Sequence, residues 1–158
     1  MKMLGGIKPK FGKTTCARRG ESMVEFALVA PLFFLLVFGI TDFGRLFFIQ
    51  ETLQYALREA GRFAVTGQNN GTNRVEAIKM VAENEATGLG LTDSSIQVTS
   101  GGSNNFAGGP RQTVTISMNY GVKLITPMIG RYFGPSQTYT CKVSVSFMNE
   151  PFDPSKTN

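Results

Sequence analysis

The amino-acid sequence predicts an α+β fold: one long N-terminal helix that crosses a membrane, then a small domain with a second helix and an antiparallel sheet. Three observations carry that reading. Residues 26–40 are apolar, interrupted by Pro31 alone. With their flanks they make about twenty residues, the length that spans a hydrocarbon core of roughly 30 Å. Helical spacing of apolar residues then continues past that segment. Further along, two stretches alternate apolar and polar side chains, as strands with one buried and one wet face do.

After Asp42 the apolar residues Leu46, Ile49, Leu53, Ala56, Leu57, Ala60 and Ala64 recur three or four apart, which is an amphipathic helix face. Gly44 and Gly61 lie inside it and weaken it by about 1 kcal/mol each relative to alanine. Gly67 and the Asn-Asn-Gly that follows at 69–71 end it. The helix therefore runs over 22–66, roughly 67 Å at 1.5 Å per residue. Its charges, Asp42 with Arg45 and Arg58 with Glu59 and Arg62, read as solvated local pairs that contribute about 0.2–0.5 kcal/mol each.

Residues 73–87 predict the second helix, with Val75, Ile78, Val81 and Ala82 on its apolar face and Thr72 or Asn73 as cap, Glu76 behind it. Residues 96–99 form a short strand, and 101–109 a Gly/Asn loop holding Phe106. Residues 113–120 place Val114, Ile116, Met118 and Tyr120 on one face. Residues 139–147 do the same with Tyr139, Cys141, Val143, Val145 and Phe147. Between them, 124–135 is an apolar loop that covers a sheet end, and the polar tail from Pro151 frays. The domain plan is a basic leader at 1–20, the long helix at 21–66 with its transmembrane part at 22–41, an outer domain at 67–150 and the tail at 151–158.

The chain is basic, with a pI near 9.4, yet the charge is unevenly placed. The first twenty residues hold six basic and no acidic side chains, and the rest hold ten basic and eleven acidic. No basic surface is left to neutralise phosphates, so nucleic acid is not a partner. The same asymmetry orients the span, with the N-terminus cytoplasmic and the bulk of the chain outside. There is no histidine, which removes the commonest general base and metal ligand. Cys16 falls in the leader, so Cys141 is a small apolar core residue.

Competing patterns fail on their chemistry. A secretory signal peptide needs a small-residue cleavage site after its apolar region, but here helical spacing carries straight on. A lipoprotein signal needs an apolar run before Cys16, where the sequence is polar and contains Pro9. The stretch from Gly6 to Thr14 is one residue too long for a phosphate-binding loop, and no strand precedes it. Asn70-Gly71-Thr72 matches a glycosylation pattern but reads better as a turn. The acids Glu76, Glu83, Glu85, Asp93 and Glu150 form no motif with a nucleophile. The expectation is no enzyme, no metal and no cofactor.

The most informative stretch is Arg18-Arg19-Gly20-Glu21-Ser22-Met23-Val24-Glu25-Phe26, set against the apolar run. A charge at the centre of a spanning helix costs about 2.5–3.5 kcal/mol, less near its end. A chain that keeps Glu25 there gives it a partner. This arrangement resembles the processing site and assembly helix of type IV pilin-like proteins. Gly20, the run Glu25-Phe26-Ala27-Leu28, Pro31, Asp42-Phe43-Gly44-Arg45 and residues 56–62 resemble, more closely, the TadE-like minor pseudopilins of tight-adherence pili.

The resemblance implies a substrate of a membrane-embedded aspartyl prepilin peptidase. Cleavage falls after Gly20, where the absence of a Cβ permits close approach, and the mature chain begins at Glu21. Glu25, with Phe26 and Pro31, then serves assembly, its carboxylate pairing with the new N-terminal amine of a neighbouring subunit. Major pilins carry an aromatic first mature residue, and Glu21 departs from that. The implied partners are the peptidase, other pilus or pseudopilin subunits, the inner-membrane assembly platform and the lipid bilayer. The implied role is assembly of an adhesion pilus from the bacterial cytoplasmic membrane. The alternative is an uncleaved single-pass anchor presenting a small extracytoplasmic binding domain.

Overall fold

In the computed structural model of the chain, the described residues are 17–68, 71, 73–126, 131 and 134–153, with side chains from Gly20 onward. The fold is α+β. Helix α1 spans Ala17–Val65 and α2 spans Arg74–Glu85. The strands are β1 (Ile96–Ser100), β2 (Ser103–Asn104), β3 (Thr113–Lys123) and β4 (Thr138–Met148). A 3-10 turn at Asp93–Ser95 leads into β1. Two compact units divide the chain, one up to Val37 and one from Phe38 onward.

In the first unit, α1 exposes almost everything it has. Phe26, Leu28 and Leu32 stand 71%, 75% and 69% exposed. The most apolar window of this helix has a mean hydropathy of 2.4 and no residue buried within the chain. Such a surface is unfavourable in water by about 25 cal/mol per Å². Its solvent is a membrane, and the chain is membrane-anchored. Helix α1 begins at Ala17, five residues before the sequence expectation, because Arg18 and Arg19 are good helix formers. Gly20 therefore lies inside the helix.

In the second unit, Ile49, Leu53, Ala56, Leu57, Ala60 and Ala64 of α1 are buried as their spacing predicts. They meet Val75, Ile78 and Ala82 of α2 and the inner face of the sheet. Asn73 caps α2, its Oδ1 accepting from the Val75 amide at 3.0 Å. The sheet order is β2-β1-β3-β4, antiparallel throughout. The ribbon of β3 and β4 keeps unbroken register from Thr113↔Met148 to Lys123↔Thr138. Val114, Ile116 and Met118 are fully buried, and the alternation runs on to Val122. Cys141 is buried among them with its thiol free, and burial pushes that thiol's pKa up.

The loop at 101–109 is more ordered than its composition implies. Gly101 and Gly102 both take positive φ, 57° and 83°, as the turn of a tight hairpin demands, and β2 folds back on β1. Phe106 follows, 48% exposed. Of the apolar 124–135 loop, residues 127–130, 132 and 133 lie outside the described residues, as do Cys16 and Asn70.

Gly61 reads differently in three dimensions than as a weak helix former. A Cβ there would overlap the Phe147 ring of β4. The glycine lets helix and sheet approach closely. Gly61→Ala is expected to destabilise the domain by about 1–2 kcal/mol, since overpacking outweighs the gain of about 1 kcal/mol in helix propensity. Thermal unfolding of the detergent-solubilised protein checks the sign. A rise in Tm would show that the ring simply moves aside.

Candidate functional site

The sequence directs attention to residues 20–31, and α1 carries all of them. Gly20 is exposed, and a Cβ built on it meets nothing within 4 Å. Glu21 and Glu25 are four residues apart on a helix, hence on one face, with Leu28 next along it. A shallow concavity follows that face, lined by Gly20, Glu21, Ser22, Val24, Glu25 and Leu28. Both carboxylates are exposed. Two like charges at this spacing disfavour the helix by about 0.2–0.5 kcal/mol. Phe26 projects from a different face, 71% exposed. Pro31 sits inside α1 without ending it. Having no N–H, it leaves the Ala27 carbonyl without its helical donor. Gly20, Glu21 and Glu25 thus line one concavity, Phe26 points away from it, and Pro31 lies further along the helix.

Where α1 leaves its apolar segment, the structure corrects the reading of Asp42. It is not a solvated partner of Arg45. Asp42 is buried, 4% exposed. Its carboxylate accepts from the Ile125 amide at 3.0 Å, the Thr126 amide at 2.8 Å and the Thr126 hydroxyl at 2.7 Å. Arg45 turns instead to the Lys123 carbonyl, at 3.5 Å. Burial pushes the Asp42 carboxyl up. The Thr126 hydroxyl, the two amides and the Arg45 charge outweigh burial and hold it below the ordinary value of 3.8. The signal available in sequence was the one applied to Glu25: an acid beside a membrane span needs a partner.

Arg74 is the second residue whose role the sequence did not disclose. It is buried at the start of α2. Its guanidinium donates to the carbonyls of Ala64, at 2.7 Å, and Gly108. The Ala64 carbonyl belongs to the last turn of α1, where a cation also meets the negative end of the helix dipole. Phe152 covers the guanidinium, 4.4 Å from ring centroid to Cζ. Gly67, at φ +71°, leaves room for the same ring. Residues 150–152 are thus held down rather than frayed, and the Glu150 amide donates to the Val65 carbonyl at 3.1 Å. Burial lowers the Arg74 pKa, from a level so high that the charge stays. Of the other expected pairs of α1, Arg62 meets Glu59 at 3.5 Å on the surface, whereas Arg58 turns to the neutral Gln54 side chain one turn back.

Residues 20–62 match the family model described as TadE-like protein. The match covers the exposed glutamates, the apolar segment, Asp42 and most of the buried stripe of α1, and stops before the sheet. No curated protein and no solved structure matches the chain.

Proposed function

From the premise that this chain, matched over residues 20–62, is a TadE-like protein of the Tad pilus system, we propose that it is a minor pseudopilin. A prepilin peptidase cuts it after Gly20, and it then takes part in assembling a Tad-type adhesion pilus. Its role is structural, and its partners include other pilus subunits. Residues 1–20 are the cytoplasmic leader, 22–41 cross the bacterial inner membrane, and 67–150 form the outer domain.

The observation that best supports this reading is the setting of Gly20 and Glu25. Peptidases bind substrates as extended chain, and Gly20, in the first turn of α1, is a residue that disfavours helix by about 1 kcal/mol. That turn opens at small cost. Cleavage there creates a positive amine on Glu21, one turn from Glu25. Glu25 itself stands exposed on an apolar helix, and none of the described residues buries it. A neighbouring subunit's N-terminal amine supplies the opposite charge that makes a carboxylate acceptable at the edge of a membrane. Glu21 adds a second carboxylate beside that pairing.

Intact mass and N-terminal sequence of the protein from its native membrane test the proposal. A start at Glu21 supports it. A start at Met1 supports instead the uncleaved anchor, and a start beyond Thr41 a secretory signal. Gly20→Phe is expected to leave the whole protein uncleaved. Because none of the described residues lies within 4 Å of a Cβ at position 20, a block would act on the peptidase rather than on folding. Normal processing of Gly20→Phe would move the cleavage site elsewhere.

A further inference from the structure

We propose that the base of the outer domain makes a second membrane contact, with Ile125 and Phe43 seated in the outer interface of the bilayer and Phe47 at its edge. This rests on the reading of 22–41 as the membrane span. Asp42 is the first residue beyond that span, and it holds the amides of Ile125 and Thr126. The turn that follows β3 is therefore tied to α1 at the point where the chain leaves the bilayer. Leu124 and Thr126 are buried in the domain, but Ile125 between them stands 53% exposed. On α1 of the same unit, Phe43 and Phe47 are 62% and 52% exposed and stack edge to face at 4.8 Å.

The spacing fits the layer. A rise of 1.5 Å per residue puts Phe43 about 3 Å and Phe47 about 9 Å beyond residue 41. The headgroup region on each side is roughly 5–7 Å thick, so Phe43 falls within it, while Phe47, at about 8.5 Å for a mean tilt of about 20°, stands just beyond its outer edge. Ile40, Phe43 and Phe47, three and four residues apart, also share one helix face.

Charge points the same way. Arg45 and Lys123 are exposed, and Arg45 reaches the Lys123 carbonyl. The stretches 38–48 and 120–126 contain one acid, Asp42, and its oxygens are already taken by the turn. An apolar tip with a basic rim is the surface that binds an anionic bilayer.

The chain has no tryptophan, so a single introduced one reports its own depth. The full-length protein, in phosphatidylcholine vesicles with phosphatidylglycerol, is prepared as Ile125→Trp, Phe34→Trp and Phe106→Trp. Phe34 lies in the span. Phe106 lies in the loop at the opposite end of β3 from Lys123. Bromine on the lipid chains then quenches whatever it can reach. The expected result is that Ile125→Trp is quenched roughly twofold more than Phe106→Trp, and less than Phe34→Trp, as an interfacial residue should be. Quenching of Phe34→Trp with Ile125→Trp no different from Phe106→Trp overturns the second contact and leaves the span standing. Absence of quenching at Phe34→Trp overturns the span and the contact with it.

Discussion

Replacing Asp42 by alanine is expected to destabilise the outer domain by about 3 kcal/mol, the order expected when buried donors lose a charged acceptor. At about 4–8 °C per kcal/mol for a domain of this size, Tm falls by roughly 12–24 °C. Circular dichroism of the detergent-solubilised protein reads the shift. The donors left behind are the amides of Ile125 and Thr126 and the Thr126 hydroxyl, and only partial access of water can replace the carboxylate. The pH dependence has a definite sign. The folded pKa lies below 3.8, so the folded state binds fewer protons than the unfolded one as pH falls through this range. The Asp42 contribution is complete above the ordinary value and is lost as pH drops through the folded one. The gap between wild type and Asp42→Asn should therefore narrow below about pH 4. A gap that stays constant in acid would mean that the charge contributes nothing.

The other large effect is expected at Glu25. Glu25→Leu removes a carboxylate from the membrane edge, whose cost reaches about 2.5–3.5 kcal/mol at a helix centre. The variant should insert at least as well as wild type and still be cut after Gly20, yet produce no pili. Immunoblots of the membrane fraction and electron microscopy of shed filaments separate the two effects. Normal piliation by Glu25→Leu would end the pairing role proposed for this carboxylate. Glu25→Gln, which keeps the shape and hydrogen-bonding oxygen but not the charge, tests whether the neighbouring amine needs a full negative partner.

What the sequence disclosed and what it hid divide along the range of the interaction. The buried stripe from Ile49 to Ala64 and the alternation in β3 are local, and their period alone placed them on the core side. The strand ends were underread by a few residues, because Val122 continues the alternation past Gly121, where the pattern looks broken. Tyr139 was expected on the inner face but is 39% exposed, since β4 is an edge strand and its first residues lie beyond the cover of the helices. Asp42 meets residues 83 and 84 positions away, and no spacing rule relates them. Gly61 is similar: propensity counts it as a flaw, and its worth appears only once Phe147 is opposite. At the candidate site, Glu21 and Glu25 share a face by simple helical arithmetic. In the function proposed for them their partners belong to other molecules, so spacing within one chain supplies only half of that arrangement.

The two ends of the outer domain are fastened to α1 independently. At one end Asp42 grips the turn after β3. At the other the carbonyls of Ala64 and Val65 are held by Arg74 and the Glu150 amide. A pull along the axis of α1 between these points would load both fastenings and the packed stripe between them in parallel. Shear resists such a load better than unzipping does, because all the contacts must fail together. Residues 42–65 of α1 and the outer domain are thereby held together as one stiff part.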